Sequence, residues 1–133
     1  MKTKIALGIA ALGLSLATVP AMAHHSFAAE FDSTKPVKLV GSVTKIEWMN
    51  PHAYFYIDVK DDKSGQVTNW GLEMGSPNGL MRQGWTRNSM KIGDMVTVEG
   101  SAAKDGSNIG NARSVTLVGG QRLFAGSSQQ TNP

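Results

Sequence analysis

From Ala53 to Lys60 apolar and polar residues alternate: Phe55, Ile57 and Val59 occupy every second position, with Tyr54, Tyr56 and Asp58 between them. A period of two marks a strand with one face against a core. A longer run, Val37 to Trp48, carries Val37, Leu39, Gly41 and Val43 on one face and Thr44, Ile46 and Trp48 on the other. The apolar set changes sides between Val43 and Ile46, which predicts a bulge or bend that Gly41 can allow. Gln66 to Met74 reads as a third strand, with Thr68, Trp70, Leu72 and Met74 sharing a face. Met95 to Ala102 and Ala112 to Val118 are the fourth and fifth, and Leu123-Phe124 docks a short last segment.

The breaks between these runs are turn chemistry: Asn50-Pro51, Asp61-Asp62-Lys63-Ser64-Gly65, Ser89 to Asp94, Lys104 to Asn108, and Gly119-Gly120. One break differs. Ser76 can cap a helix, Pro77 suits its first position, Leu80 and Met81 give it an apolar side, and Gly84 fits its end. These residues predict a helix of about two turns, followed by Trp85 packed against the end of the domain. The order is three strands, a short helix, two strands. It points to a mainly β fold, a small five-stranded OB-like Greek-key barrel with one short helix between strands 3 and 4. Another small closed or half-open β-barrel is the runner-up. Phe27 and Phe31, four apart, form either one stripe of a helical turn or two anchors of an extended arm. Pro36 disfavours a helix there and favours the arm.

The first 23 residues change the picture of the whole. Lys2 and Lys4 precede an apolar run from Ile5 to Val19, too short for a comfortable membrane span, and Ala21-Met22-Ala23 is a small-x-small cleavage site. The expected organisation is a signal peptide over 1–23, an N-terminal arm over 24–36, a barrel domain over 37–125 and a frayed tail over 126–133. Removing Lys2 and Lys4 takes thirteen Lys and Arg to eleven against ten Asp and Glu, so the net charge falls from +3 to +1. A near-neutral domain argues against nucleic acid and against an anionic membrane surface as partner. The absence of cysteine excludes disulfides, thiolate metal sites and cysteine catalysis. The mature chain has no second apolar run and is expected to be periplasmic, with no membrane span.

Candidate chemistry rests on three histidines, His24, His25 and His52. Cleavage after Ala23 makes His24 the first residue. Its α-amine and ring Nδ1 can then chelate one ion, and both groups are available near neutral pH. Nitrogen ligands of this kind favour Cu(II), with Zn(II) and Ni(II) behind it. His25 is the local candidate for a third nitrogen and His52 the distant one; a structural role for His52 in its turn is the alternative. Met49 and Met74 are possible thioether ligands, though methionine on strands more often fills a core. A second candidate surface is the barrel face around Trp48, Asn50, Tyr54 and Tyr56, which could meet a partner protein or a glycan; the same tyrosines could equally pack under the N-terminal arm. Glu30, Asp32, Glu47, Asp58 and Glu73 read as solvated acids. No G-x-S-x-G, P-loop or H-E-x-x-H occurs, so no enzyme is expected.

Several blocks resemble, in order, an uncharacterised family of small exported proteins of Gram-negative bacteria. They are His24-His25-Ser26-Phe27, Glu47-Trp48-Met49-Asn50-Pro51-His52-Ala53, Gly75-Ser76-Pro77-Asn78, Gly84-Trp85, and Gly93-Asp94 with Lys104-Asp105-Gly106-Ser107. The resemblance covers nearly the whole mature chain. It implies export to the periplasm, singles out His24, His25, Asn50 and His52, and implies no activity. The expectation is a non-enzymatic periplasmic binding module for a transition metal, copper preferred, or else for a protein or glycan independent of metal.

Overall fold

A computed structural model of the chain describes residues 27–126. The expected leader, His24, His25 and the tail from 127 lie outside those residues. The sheet is organised around its first strand, β1 (Phe31–Glu47). One half of β1, from Ser42 to Glu47, pairs antiparallel with β2 (Tyr54–Lys60); the other half, from Phe31 to Ser42, pairs antiparallel with β4 (Met95–Ala103). β2 pairs with β3 (Val67–Glu73), and β4 with β5 (Ile109–Thr116). A parallel pairing of Gly71–Glu73 with Ile109–Asn111 then joins β3 to β5. The ladder thus runs in a circuit, β1 to β2 to β3 to β5 to β4 and back to β1, with β6 (Arg122–Phe124) added outside β5.

Why the chain bends where it does is visible in the register. Pairing of β1 with β2 shifts between Val43 and Lys45. This is the bulge that the change of apolar face at Val43–Ile46 predicts, and it turns Ile46 and Trp48 onto the core. Gly41 has a second reason to be glycine: a Cβ there would lie 2.5 Å from the Asp58 carbonyl oxygen. Inside the circuit, Phe55, Ile57, Leu72, Val98 and Val115 are fully buried, joined by Val43, Val96, Met74 and Leu80. The helix α2 (Pro77–Arg82) closes one end. Ser76 caps it by accepting from the Gly79 N–H at 3.1 Å, with Pro77 in its first turn. Trp85 is buried beside it, its indole N–H donating to the Phe124 carbonyl at 2.8 Å.

Four expectations need correction. The strands among the described residues number six, since Arg122–Phe124 pairs with Ser114–Thr116 and Leu123 is buried. Those residues hold two short helices, α2 and the single turn α1 (Phe27–Glu30), which sets the Phe27 and Phe31 rings 5.6 Å apart. The sheet also begins at Phe31 rather than Val37. Pro36 is tolerated because the pairing with β4 slips between Asp32 and Pro36, where a residue without an N–H costs least. β5 likewise starts at Ile109, ahead of Ala112, because its first residues pair with β3. No helix among the described residues is long and apolar enough to cross a membrane.

Candidate functional site

On the outside of the sheet, register carries one row of side chains from strand to strand. Glu47 lies opposite Tyr54, Tyr54 opposite Glu73, and Glu73 opposite Asn111. Neighbours in sequence show which way the row faces: Phe55, Leu72 and Ala112 are all fully buried in the core, so Tyr54, Glu73 and Asn111 point the other way. The Tyr54 hydroxyl donates to Glu73 Oε2 at 3.3 Å, and the Tyr56 hydroxyl makes a long contact with Glu47 Oε2 at 3.5 Å. Burial first, and then the Glu73 carboxylate beside it, push the Tyr54 hydroxyl up to about 12; Glu30, at the end of α1, adds to the effect. The Glu30 carbonyl accepts from the Lys104 N–H at 3.0 Å, which pins α1 to the end of β4.

His52 joins this row from one side. The turn before it contains a cis Asn50–Pro51 bond. Ala53 N–H donates to the Gly75 carbonyl at 3.0 Å, and Met74 N–H donates to the Ala53 carbonyl at 2.8 Å. That pair of backbone bonds fixes His52 beside the end of β3. His52 Nδ1 then sits 3.0 Å from the Met74 carbonyl oxygen and 3.6 Å from Glu73 Oε1. Both partners can only accept, so Nδ1 carries a hydrogen and donates it to Met74. In the neutral ring this leaves the lone pair on Nε2, for which there is no partner among the described residues. The His52 side chain keeps 27% of its surface, the Glu73 side chain 12%.

The sequence candidates therefore separate. His52 and Tyr54 converge on Glu73. Tyr56 stands one position away, and its ring is engaged on its own strand neighbours: a Cβ on Gly71 would lie 3.1 Å from it, and Lys45 Nζ lies 5.3 Å from its centroid. Trp48 packs against the core, and Asn50 is exposed in the turn. Met74 is buried in the core, and Met49 is half-exposed. His24 and His25 lie outside the described residues. Among the described residues no group of three His, Cys, Asp or Glu side chains could hold a metal ion. Glu73 is not the solvated acid its sequence suggests, because register folds it between Tyr54 and His52. Asn111 is missed altogether; its only signal is a polar side chain between Gly110 and Ala112 at the start of an apolar strand.

A family model matches residues 12–112, a span that includes every element from α1 into β5. The chain belongs to DUF6152, a family of unknown function. No curated protein matches the DUF6152 chain. Among solved structures it is similar to the mitochondrial single-stranded DNA-binding protein Rim1 of S. cerevisiae, with a TM-score of 0.50 and 14% identity over 63% of this chain and 93% of that one. At that identity the likeness is one of fold alone.

Proposed function

We propose that this DUF6152 protein is an exported, periplasmic and non-enzymatic binding module on an OB-like barrel, and that it binds a transition metal, copper first, through His24, His25 and His52. The barrel reading is supported by the circuit of strand pairings and by the fold likeness to a single-stranded DNA-binding protein, a class built on OB-folds. Nothing of that neighbour's ligand is carried over, since the mature chain has a net charge near zero and no concentrated basic surface in its sequence.

One observation carries the metal reading. The bond from His52 Nδ1–H to the Met74 carbonyl fixes the ring's orientation and tautomer and presents Nε2 as a lone-pair donor. Outer partners of this kind are how metal-binding histidines are held and made more basic. A backbone carbonyl on one nitrogen is equally compatible with a histidine that only stabilises its turn, so the site needs its other ligands. They must come from beyond the described residues, and His24 is three residues from Phe27. That stretch spans about 10 Å when extended, and Glu30, at the end of α1, is close enough to act on Tyr54, whose hydroxyl meets the same Glu73 carboxylate as His52.

The test is a Cu(II) titration of the chain beginning at His24, followed by calorimetry and EPR. We expect one-to-one binding through nitrogen ligands, weakened at least tenfold by one alanine placed before His24 and by His52→Ala. Weak binding indifferent to both changes sinks the metal reading. It would leave partner-protein or glycan binding at Trp48, Asn50, Tyr54 and Tyr56, for which the engaged hydroxyls of the two tyrosines and the occupied ring of Tyr56 leave less free surface.

A further inference from the structure

Beside α2, at the end of the barrel, lies a bowl lined by two indoles, Trp48 and Trp85, and two thioethers, Met74 and Met90, with Thr86 and Arg87 completing it. Trp48 follows directly on β1 and Met74 on β3, while the other four come from the stretch after α2. Met74, Trp85 and Met90 are buried, so the floor is fixed by the core. Trp48 packs against that core and lines the bowl as well. The empty space is about 210 Å³ counting its open mouth, and its enclosed part holds about one water-sized group. The turn that presents Arg87 is tied at both ends. Thr86 N–H donates to Ser89 Oγ at 2.8 Å, Ser89 N–H to the Thr86 carbonyl at 3.1 Å, and Asn88 N–H to Thr86 Oγ1 at 3.2 Å. Two donors at the bowl have no partner among the described residues: the Arg87 guanidinium and the Trp48 indole N–H. An exposed arginine without a partner is ordinary by itself. Here it stands over an apolar floor, and no carboxylate shares the lining.

We propose that this bowl binds a small aromatic carboxylate, a single ring carrying a short acid chain. Small-molecule sites are concave and mostly apolar, with a few polar groups that fix orientation. The walls choose the ring. Indoles stack on or meet the edge of an aromatic ring, and thioether sulfurs make favourable contacts with one, whereas a saturated ring of the same size gains only burial. Arg87 chooses the acid. Its planar fork takes a carboxylate through two parallel N–H···O bonds, and it repels an amine. The Trp48 indole can only donate, so it too is satisfied by an acceptor and not by another donor. The small volume limits the ligand to one ring, with its charged end at the mouth. A glycan is a poorer match, because its hydroxyls need donors and acceptors that these walls lack. The site is separate from the proposed metal site: none of the three histidines lines it, and Trp48 packs on the core whereas Tyr54 faces outward. The two proposals stand or fall independently.

The three tryptophans supply the test, since Trp48 and Trp85 line the bowl and Trp70 does not. The protein purified after export, free of metal, is titrated with 3-phenylpropanoate, and its indole N–H signals are followed by 15N NMR after assignment with Trp70→Phe. We expect the Trp48 and Trp85 signals to move and saturate together while Trp70 stays in place. Three comparisons then separate ring from acid. Arg87→Gln should weaken 3-phenylpropanoate by about tenfold or more, the loss expected for hydrogen bonds to a charged group, and leave 3-phenylpropanol unchanged. 3-Cyclohexylpropanoate should bind the unaltered protein more weakly than the phenyl compound, and 3-phenylpropylamine more weakly than the alcohol. Arg87 is exposed on a turn, so its replacement leaves the fold intact and the comparison readable. Trp48→Leu should weaken acid and alcohol alike; should that variant fail to fold, the indole signals and Arg87→Gln still decide. Shifts that do not saturate, or that spread equally to Trp70, overturn the site. An acid that binds Arg87→Gln as well as the unaltered protein overturns the role of Arg87 and with it the carboxylate. A cyclohexyl compound as tight as the phenyl one overturns the aromatic ligand.

Discussion

β2 and β3 have two faces that solve opposite problems with adjacent residues. Phe55, Ile57 and Leu72 turn inward and vanish from solvent. Tyr54 and Glu73, each next to one of them in sequence, turn outward and are also largely removed from water, but through hydrogen bonds to one another. The inner face is stabilised by area and fit, which are indifferent to pH. The outer face depends on charge, protonation state and whatever completes its polar groups. The contrast assigns stability to the inner face and chemistry to the outer one.

The largest effect should come from opening the inner face. Leu72→Ala removes a fully buried side chain and should lower the free energy of unfolding by about 2–5 kcal/mol in a denaturant titration. Gly100→Ala tests the joint between the faces. Its Cβ would fall 1.7 Å from the Asn111 carbonyl oxygen, at the point where the β4–β5 register shifts. Overpacking of that kind costs about 1–3 kcal/mol, and it should displace Asn111 enough to weaken any outer-face binding at the same time. Equal losses of stability in Leu72→Ala and Gly100→Ala with binding retained in both would break the division proposed above.

The outer face should reveal itself by pH. Tyr54 ionises near 10 in the unfolded chain and at about 12 in the folded one. Below pH 10 both states hold the proton and the stability is fully present. Between 10 and 12 only the unfolded state releases it, so stability falls as pH rises through that window. Thermal melts from pH 9 to 12 should show a decline that is smaller in Tyr54→Phe; the same slope in the variant would remove Tyr54 from the account. The smallest effect belongs to Tyr56→Phe. Its hydroxyl contact with Glu47 is 3.5 Å long, so the change should cost about 0.5 kcal/mol or less.

Much of the inner face can be read directly from the sequence. Alternation marks Phe55 and Ile57, the change of face marks the bulge at Val43–Lys45, and Ser76-Pro77 marks a helix start. These are local signals, each complete within a few residues. The site is written otherwise. His52 stands out as a rare residue in a turn, but its partners, the Met74 carbonyl and Glu73, are brought to it by backbone bonds between Ala53 and residues 74–75. Asn111 meets Glu73 only through the parallel pairing of β3 with β5, which no periodicity announces. β6 is three residues long, too short for a pattern, and β1 passes through Pro36, a residue that argues for an earlier end.

The β3–β5 pairing also sets how the molecule breathes. It is a seam of three residues a side, Gly71–Glu73 against Ile109–Asn111, while every other joint around the circuit is longer. Local opening should begin there, and the amides of the seam should exchange with solvent ahead of those in the β1–β4 ladder. Because Glu73 and Asn111 are opposite members of that seam, any group bridging them acts as a clasp. Its binding would appear first as slowed hydrogen exchange at residues 71–73 and 109–111, before any change in overall melting.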